Sequence, residues 1–391
     1  MARCAFVRAR ASRRGARDDD DVNSGRRGRR GSTRVSPRGD KTRRAMTDER
    51  LTTHALGMLY ACFVFVSFLY RNCSARGVEF YPLDPAIDID AQRGHPFDVI
   101  LQKVPGSDGV KADWDERLRQ YATAQPLARI VGLPELVKRV TNRGTMLDVV
   151  HSLGVANVSA PRQIVLTPRD DAESISQIIA DAGLKPPYLA KALICDGSEH
   201  SHSVAIIHDQ GGIEALRQGR VCGIELPCVL QEYVNHGGCL FKVYVVGESV
   251  TSATRRSLPD LVVHSSSSSS NHDYGDEGAV VVPRVSRFTQ SASDDDDDED
   301  GGGDGDGGHE QQHVPPPDDA VLRDIGLRLH AKLGLDLFNF DLIRDRENPS
   351  ALFIVDINYL PGISKMPGYF DHFTNFLASA GGGGGGGRRR E

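Results

Sequence analysis

The stretch LFNFDLIRDRENPSALFIVDINYLPG, residues 337–362, constrains the fold more than any other. Two apolar runs rich in aromatic and β-branched residues flank the turn-forming RENPS, and the second stops at Pro361-Gly362, so the segment reads as an antiparallel hairpin. Each run carries a carboxylate at its centre: Asp341 between Phe340 and Leu342, Asp356 between Val355 and Ile357. A carboxylate inside an apolar strand is costly unless it is paired or bound to metal. Asn358 lies two residues beyond Asp356 and so shares its face. A hairpin can bring the three side chains together, and about three protein oxygens suit a hard cation such as Mg2+, with water and phosphate completing its shell.

Lys191, inside the strand-like PPYLAKALI, poses the complementary problem, because a buried ammonium needs an anion. A nucleotide phosphate would serve, and a lysine snorkelling from an edge strand is the plain alternative. The next loop, CDGSEHSHS, offers Gly197, hydroxyls and His202, a set able to wrap phosphate through backbone N–H groups. CVLQEYVNHGGCLFKVYVVGE reads as two strands about a hairpin-like loop, with Gln231–Val234 able to offer backbone groups to a purine edge and Lys242 in the second strand. Lys103, Arg143, Arg255 and Arg256 add cations, each of which taken alone is an ordinary surface charge. The sequence contains no GxxxxGK[ST], no GxGxxG outside its low-complexity glycine runs and no evident Ser-His-Asp arrangement.

The rest of the chain sorts by texture. Residues 1–54 are expected to be a disordered basic tail, since positions 1–45 hold fifteen Lys/Arg against five Asp and few large apolar residues. The apolar run from Ala55 to Tyr70 is short of the roughly 20 residues that span a bilayer; it reads either as a signal anchor or as a buried helix. Alternating strand and helix patterns from Gly77 onward predict an α/β (α+β) protein. Trp114, Leu118 and Tyr121 mark one amphipathic helix, Val321, Ile325, Leu329 and Leu333 another, and LPELVKRVTNRGTMLDVVHSLG a third. The Ser-, Asp- and Gly-rich block at about 262–316, acidic throughout 294–300, is expected to be mostly a disordered loop, and 379–391 a Gly/Arg tail. Seven cysteines without CxxC pairs argue for a reducing compartment and against a zinc site.

Together FDVILQK, NRGTMLDVV, PPYLAKALICDGSEHSHSVAII, VLQEYVNHGGCLFKVYVVGE, RRSLPDL, LFNFDLI and VDINYLPGISKMPGY, in this order, resemble the inositol-tetrakisphosphate 1-kinases (inositol 1,3,4-trisphosphate 5/6-kinases) of the ATP-grasp fold. The resemblance spans about Gly77 to Leu377. It implies a small N-terminal α/β domain over 55–153 and an ATP-grasp domain over 154–378. It implies ATP as co-substrate near Arg143, Lys191, Gln231, Glu232, Tyr233, Val234, Lys242, Ser257 and Ser286. The acceptor, an inositol polyphosphate, would meet His202, Lys242, Asn358 and Gly362. Mg2+ would sit on Asp341, Asp356 and Asn358. No general base is assigned, because phosphoryl transfer runs largely on positioning and charge neutralisation.

The departures from the family lie at the start. No candidate for the family's first strand, or for the lysine after it, stands out before Ala55, so the N-terminal sheet is expected to lack that strand. The alignment also places the family's first helix near Leu59–Arg71, which favours the buried helix over the anchor. Gln102 stands where the family tends to have histidine. The alternatives are a carboxylate–amine ligase of the same fold and a degenerate ATP- or inositol-phosphate-binding module. The expected protein is a cytoplasmic monomer that needs neither nucleic acid nor membrane.

Overall fold

The computed structural model describes residues 2–8, 78–103, 109–195, 200–261, 278–282, 314–360, 366 and 368–382. The Ala55–Tyr70 stretch, Ser286 and Gly362 lie outside them. Among the described residues no helix is long and apolar enough to cross a membrane.

In chain order the strands of the first sheet are β1 (Ala2–Arg8), β2 (Val78–Leu83), β3 (Val99–Lys103) and β4 (Arg129–Val131). They run parallel in the order β2-β1-β3-β4. The expectation of a missing first strand, and of a disordered tail throughout 1–54, is therefore corrected at Ala2–Arg8, which fills the inner place between β2 and β3. Cys4-Ala5-Phe6-Val7 supplies the short unbroken apolar run that an inner parallel strand needs. Between β3 and β4 comes α1 (Gly109–Ala124), whose Trp114, Leu118 and Tyr121 are buried at the spacing expected of them.

Then follow β5 (Val158–Ser159), β6 (Gln163–Leu166), α2 (Ala172–Asp181), β7 (Tyr188–Ala192), β8 (Val204–Ile207), α3 (Gln210–Arg217), β9 (Cys228–Glu232), β10 (Cys239–Val246), β11 (Ser249–Arg256) and β12 (Ala279–Val282). The chain continues through α4 (Asp319–Leu333), β13 (Leu337–Arg344), β14 (Leu352–Tyr359) and α5 (Tyr369–Gly382). One five-stranded sheet has the order β12-β8-β7-β9-β6, and the other β11-β10-β13-β14-β5. In the first, Leu166, Ala190, Ala205 and Leu230 pack against Ile175 and Ile179 of α2 and Ile213 and Leu216 of α3. In the second, Phe241, Val243, Phe338, Phe340 and Ile357 pack against Leu322, Ile325, Leu329 and Leu333 of α4.

Three further expectations shift. The 262–316 block contains an edge strand, β12, paired antiparallel to β8. AVVV at 279–282 is β-branched and supplies it. The final helix runs on to Gly382, past the expected boundary at 378. The continuous helix expected over LPELVKRVTNRGTMLDVVHSLG is broken into short turns, Pro134–Val137, Lys138–Val140 and Asp148–His151. At the break the Arg143 amide donates to Leu193 O (2.8 Å) and the Cys195 amide to Thr141 O (2.7 Å), while Asn142 Oδ1 accepts from the Gly144 amide (2.8 Å). Backbone bonding to the strand region beyond β7 thus replaces helical bonding, with the asparagine closing the turn.

Candidate functional site

The hairpin read from the sequence forms as β13 and β14, and its register assembles the polar row. Asp341 pairs with Asp356, and on the other side Asp341 pairs with Lys242 of β10. Lys242, Asp341 and Asp356 therefore stand side by side across three neighbouring strands. One step along, Tyr244, Asn339 and Asn358 form the next row. Lys242 Nζ donates to Asp341 Oδ1 at 2.8 Å. Burial opposes the charge on Lys242, but the Asp341 carboxylate outweighs it and holds the ammonium above its ordinary value. Asn358 Nδ2 donates to Asp356 Oδ2 at 3.0 Å.

Just beyond Asp341 and Asp356 the register slips, because Leu342 pairs with Ile354. Val355 is the extra residue of a β-bulge, a feature common beside active sites. Lys191 of β7 points at it from the other five-stranded sheet. Its Nζ donates to Val355 O at 3.3 Å and to Gln231 Oε1 at 2.7 Å. Lys191 is only 8% exposed. Burial lowers its ammonium to about 8, with Asp356 opposing that shift and Arg143 adding to it. The two lysines thus differ in kind. Lys242 touches a carboxylate, whereas the hydrogen bonds of Lys191 go to an amide and a backbone carbonyl, which neutralise no charge.

Arg143 completes the group from the broken helical segment. It is also 8% exposed, and donates from Nη1 to Ala192 O (2.9 Å) and from Nη2 to Ser201 O (3.0 Å). Its Nε lies 3.5 Å from Asp356 Oδ1, too long for a hydrogen bond, and both atoms are buried without one. Cys195 Sγ sits 3.5 Å from both Arg143 Nη2 and Asn358 Oδ1. The orphaned Asp356 oxygen, with Asp341 and the Asn358 amide beside it, is an all-oxygen donor set that suits a hard divalent cation. Among the described residues no three His, Cys, Asp or Glu cluster as metal ligands. Two carboxylates completed by phosphate oxygens is the usual pattern for Mg2+.

The remaining residues named from the sequence fall in different places. Gln231 joins the group directly, and its Nε2 donates to Gln163 Oε1 at 2.9 Å. Glu232 turns to an exposed ion pair with Arg162 at 2.8 Å. The amides of Glu232 and Tyr233 donate to Arg162 O (2.8 Å) and Pro187 O (3.3 Å). Ser257 does not face the row: its Oγ lies 2.8 Å from Nε2 of His236, whose Nδ1 is 2.7 Å from Val234 O. That imidazole is buried, which lowers its basicity and favours the neutral ring. His202 is exposed in the turn His200–His202, next to the Ser201 carbonyl that receives Arg143.

A clasp that the sequence did not announce holds this edge. Asp260 Oδ1 accepts from the amides of His236 and Gly237, both at 2.7 Å, and the other Asp260 oxygen pairs with Arg346. Asn235 exchanges two bonds with the Leu261 backbone, Nδ2 to O at 2.9 Å and N to Oδ1 at 2.8 Å. Locally the sequence offers only Asn235-His236-Gly237-Gly238 and, further on, Pro259-Asp260, both ordinary loop chemistry.

Residues 154–379 match the family described as the inositol 1,3,4-trisphosphate 5/6-kinase ATP-grasp domain. Inositol-tetrakisphosphate 1-kinase 4 of Glycine max is 35% identical over 315 residues, covering 80% of this chain and 82% of that protein. Inositol-tetrakisphosphate 1-kinase 3 of Arabidopsis thaliana is 34% identical, covering 80% and 78%. Among solved structures, a RimK-domain ATP-grasp protein from Sphaerobacter thermophilus aligns with a TM-score of 0.48 at 15% identity, over 80% of this chain and 93% of that one, a distant likeness. The family match and the relatives, which cover about 80% of the chain at 34–35% identity, show that it belongs to the inositol 1,3,4-trisphosphate 5/6-kinase family, ATP-grasp kinases of inositol polyphosphates.

Proposed function

We propose that this chain transfers the γ-phosphate of ATP to a free hydroxyl of an inositol polyphosphate: O5 or O6 of inositol 1,3,4-trisphosphate, or O1 of inositol 3,4,5,6-tetrakisphosphate. The observation that carries the proposal is a buried pair of cations, Lys191 and Arg143, facing a row of two carboxylates. A bound triphosphate gives Lys191 the anion its neutral partners do not supply. Arg143, fixed by two backbone carbonyls, presents its guanidinium in one orientation, which lowers the entropy of holding the donor. Lys242, held on Asp341, is positioned to keep its charge near the transferred group.

Asp341, Asp356 and Asn358 would hold Mg2+, which supplies neutralisation of the charge that spreads over the phosphoryl oxygens in the transition state. The side chains themselves position and neutralise; no residue is asked to form a covalent bond. Gln231 and the backbone through Val234 would face the nucleotide base, and His202 the acceptor phosphates.

The test is ATP turnover by the full chain with inositol tris- and tetrakisphosphates, for wild type and Asp356→Ala. Wild type should form the more phosphorylated inositol, and the variant should stay folded and fall at least 1,000-fold, about 4 kcal/mol of transition-state stabilisation. Turnover with an amino acid or peptide instead, ATP binding with no turnover, or an active Asp356→Ala would each overturn the assignment.

A further inference from the structure

Directly after Asn358 comes Tyr359, a residue with no part in the row. Its Oη donates to Gln102 O at 2.7 Å and reaches Val131 O at 3.2 Å. Gln102 lies near the carboxyl end of β3 and Val131 at that of β4, and these strands run parallel. One phenol on the strand of Asp356 and Asn358 therefore grips the carboxyl edge of the N-terminal sheet.

The seat for that hydroxyl is built. Gly132 has a φ of +84°, and a Cβ there would stand 1.8 Å from Tyr359 Oη, so a side chain would evict the phenol. Gln102 is 1% exposed and donates from Nε2 to Gly132 O at 2.7 Å, fixing the turn that receives the hydroxyl. Tyr359 is anchored in turn by pairing with Phe338 of β13. Open α/β sheets bind their ligands at the carboxyl ends of the parallel strands. In this chain that edge is locked to the strand carrying Asp356 and Asn358.

We infer that the carboxyl edge of the N-terminal sheet forms part of the inositol phosphate site, and that Tyr359 is a positioning residue which, through the Gln102 and Val131 carbonyls, fixes that edge relative to the transferred phosphate. This rests on the proposed kinase activity. Phenylalanine would fill the same space while removing the one donor, so the fold should survive while the edge loses its register.

The experiment compares wild type with Tyr359→Phe in the full chain, using inositol 3,4,5,6-tetrakisphosphate as acceptor. Acceptor KM should rise roughly five- to tenfold, the scale of one lost hydrogen bond. ATP KM should stay within about twofold, and more ATP should be hydrolysed per acceptor phosphorylated. An unchanged acceptor KM, or both KM values rising together with a fall in melting temperature, would refute the positioning role. If Tyr359→Phe does not fold, Gln102→Met, which removes the bond to Gly132 O and leaves the phenol, should give a smaller split in the same direction; no split refutes the inference. A wild type that phosphorylates no inositol phosphate defeats the kinase proposal and this one with it. An active wild type with an unchanged Tyr359→Phe defeats this one alone.

Discussion

Replacing Lys191 with methionine should remove activity without weakening the fold, and the size of the effect follows from its surroundings. Lys191 is 8% exposed and hydrogen-bonds to Gln231 Oε1 and Val355 O, and burial lowers its ammonium from 10.5 to about 8. That displacement corresponds to ~3 kcal/mol by which the charged form is disfavoured in the folded protein. A lysine held below its ordinary value contributes stability that is fully present above 10.5 and lost as the pH falls through about 8. At pH 7 the wild type therefore carries the whole penalty. Methionine escapes it but forfeits two hydrogen bonds, about 1–3 kcal/mol together, so Lys191→Met should be between equal to wild type and ~2 kcal/mol more stable at pH 7. Denaturant unfolding of ATP-free wild type and variant, at pH 7 and again at pH 10, measures this directly. Other groups titrate in that window in both proteins, so the difference between them is the readout: any advantage of the variant should shrink or reverse at the higher pH. Turnover should be lost at every pH. A variant several kcal/mol less stable than wild type at pH 7, with the same pH dependence, would show that the ammonium is not a folding liability, and its reading as an anion-seeking group would fail.

Two further perturbations probe the frame around the site. Asp260→Ala releases the His236 and Gly237 amides and Arg346 together; ATP KM should rise several-fold with kcat little changed, and an unchanged ATP KM would detach the clasp from the nucleotide edge. Asp336 accepts from Arg129 Nη2 at 2.6 Å and lies 3.1 Å from His330 Nε2, tying β4 to the start of β13. Burial opposes the Asp336 charge, but His330 and Arg129 outweigh it and hold the carboxyl below its usual range. The stability it contributes is present above the ordinary carboxylate pKa and lost as the pH falls through the lowered value. Asp336→Asn should therefore lose about 1–2 kcal/mol at pH 7, and in melting scans from pH 7 to pH 3 it should show a shallower acid decline than wild type.

What the sequence discloses here follows from contrast. Asp341, Asp356, Lys191 and Lys242 could be picked out because a charged residue in an apolar strand contradicts its neighbours, and such contradictions mark function. Their mutual arrangement was only half legible. A hairpin brings Asp341 near Asp356, but the pairing of Lys242 with Asp341 is a contact between distant segments. The bulge that turns Val355 O toward Lys191 has no signal in FIVDIN, which reads as one unbroken strand. Tyr359 escaped for the opposite reason, since a tyrosine ending a strand looks ordinary, and Gln102 stood out only as a departure from the family; the Gly132 turn shows what the phenol is doing. Ser257 was placed by motif next to ATP, and nothing local could have revealed that His236 engages its hydroxyl.

The strand Ala2–Arg8 is the sharpest case, because the rule that hid it is sound. A window dominated by Arg, Gly and Ser cannot bury enough apolar surface to fold by itself, and averaging Cys4-Ala5-Phe6-Val7 into that window erases it. An inner parallel strand does not need to fold by itself. It borrows both its partners, here Val78–Leu83 and Val99–Lys103, from far along the chain, and its hydrogen bonds are complete once they flank it. Parallel strands cannot be joined by a tight turn, so no hairpin signal marks such an element, and four consecutive apolar residues are all that the sequence can offer. The clue lay downstream instead. The family resemblance from Gly77 onward calls for a first strand in this sheet, and Ala2–Arg8 takes that place beside Val78–Leu83 and Val99–Lys103. A composition-based boundary is therefore safest where the remaining sheet is complete without the excluded segment, and this sheet was not.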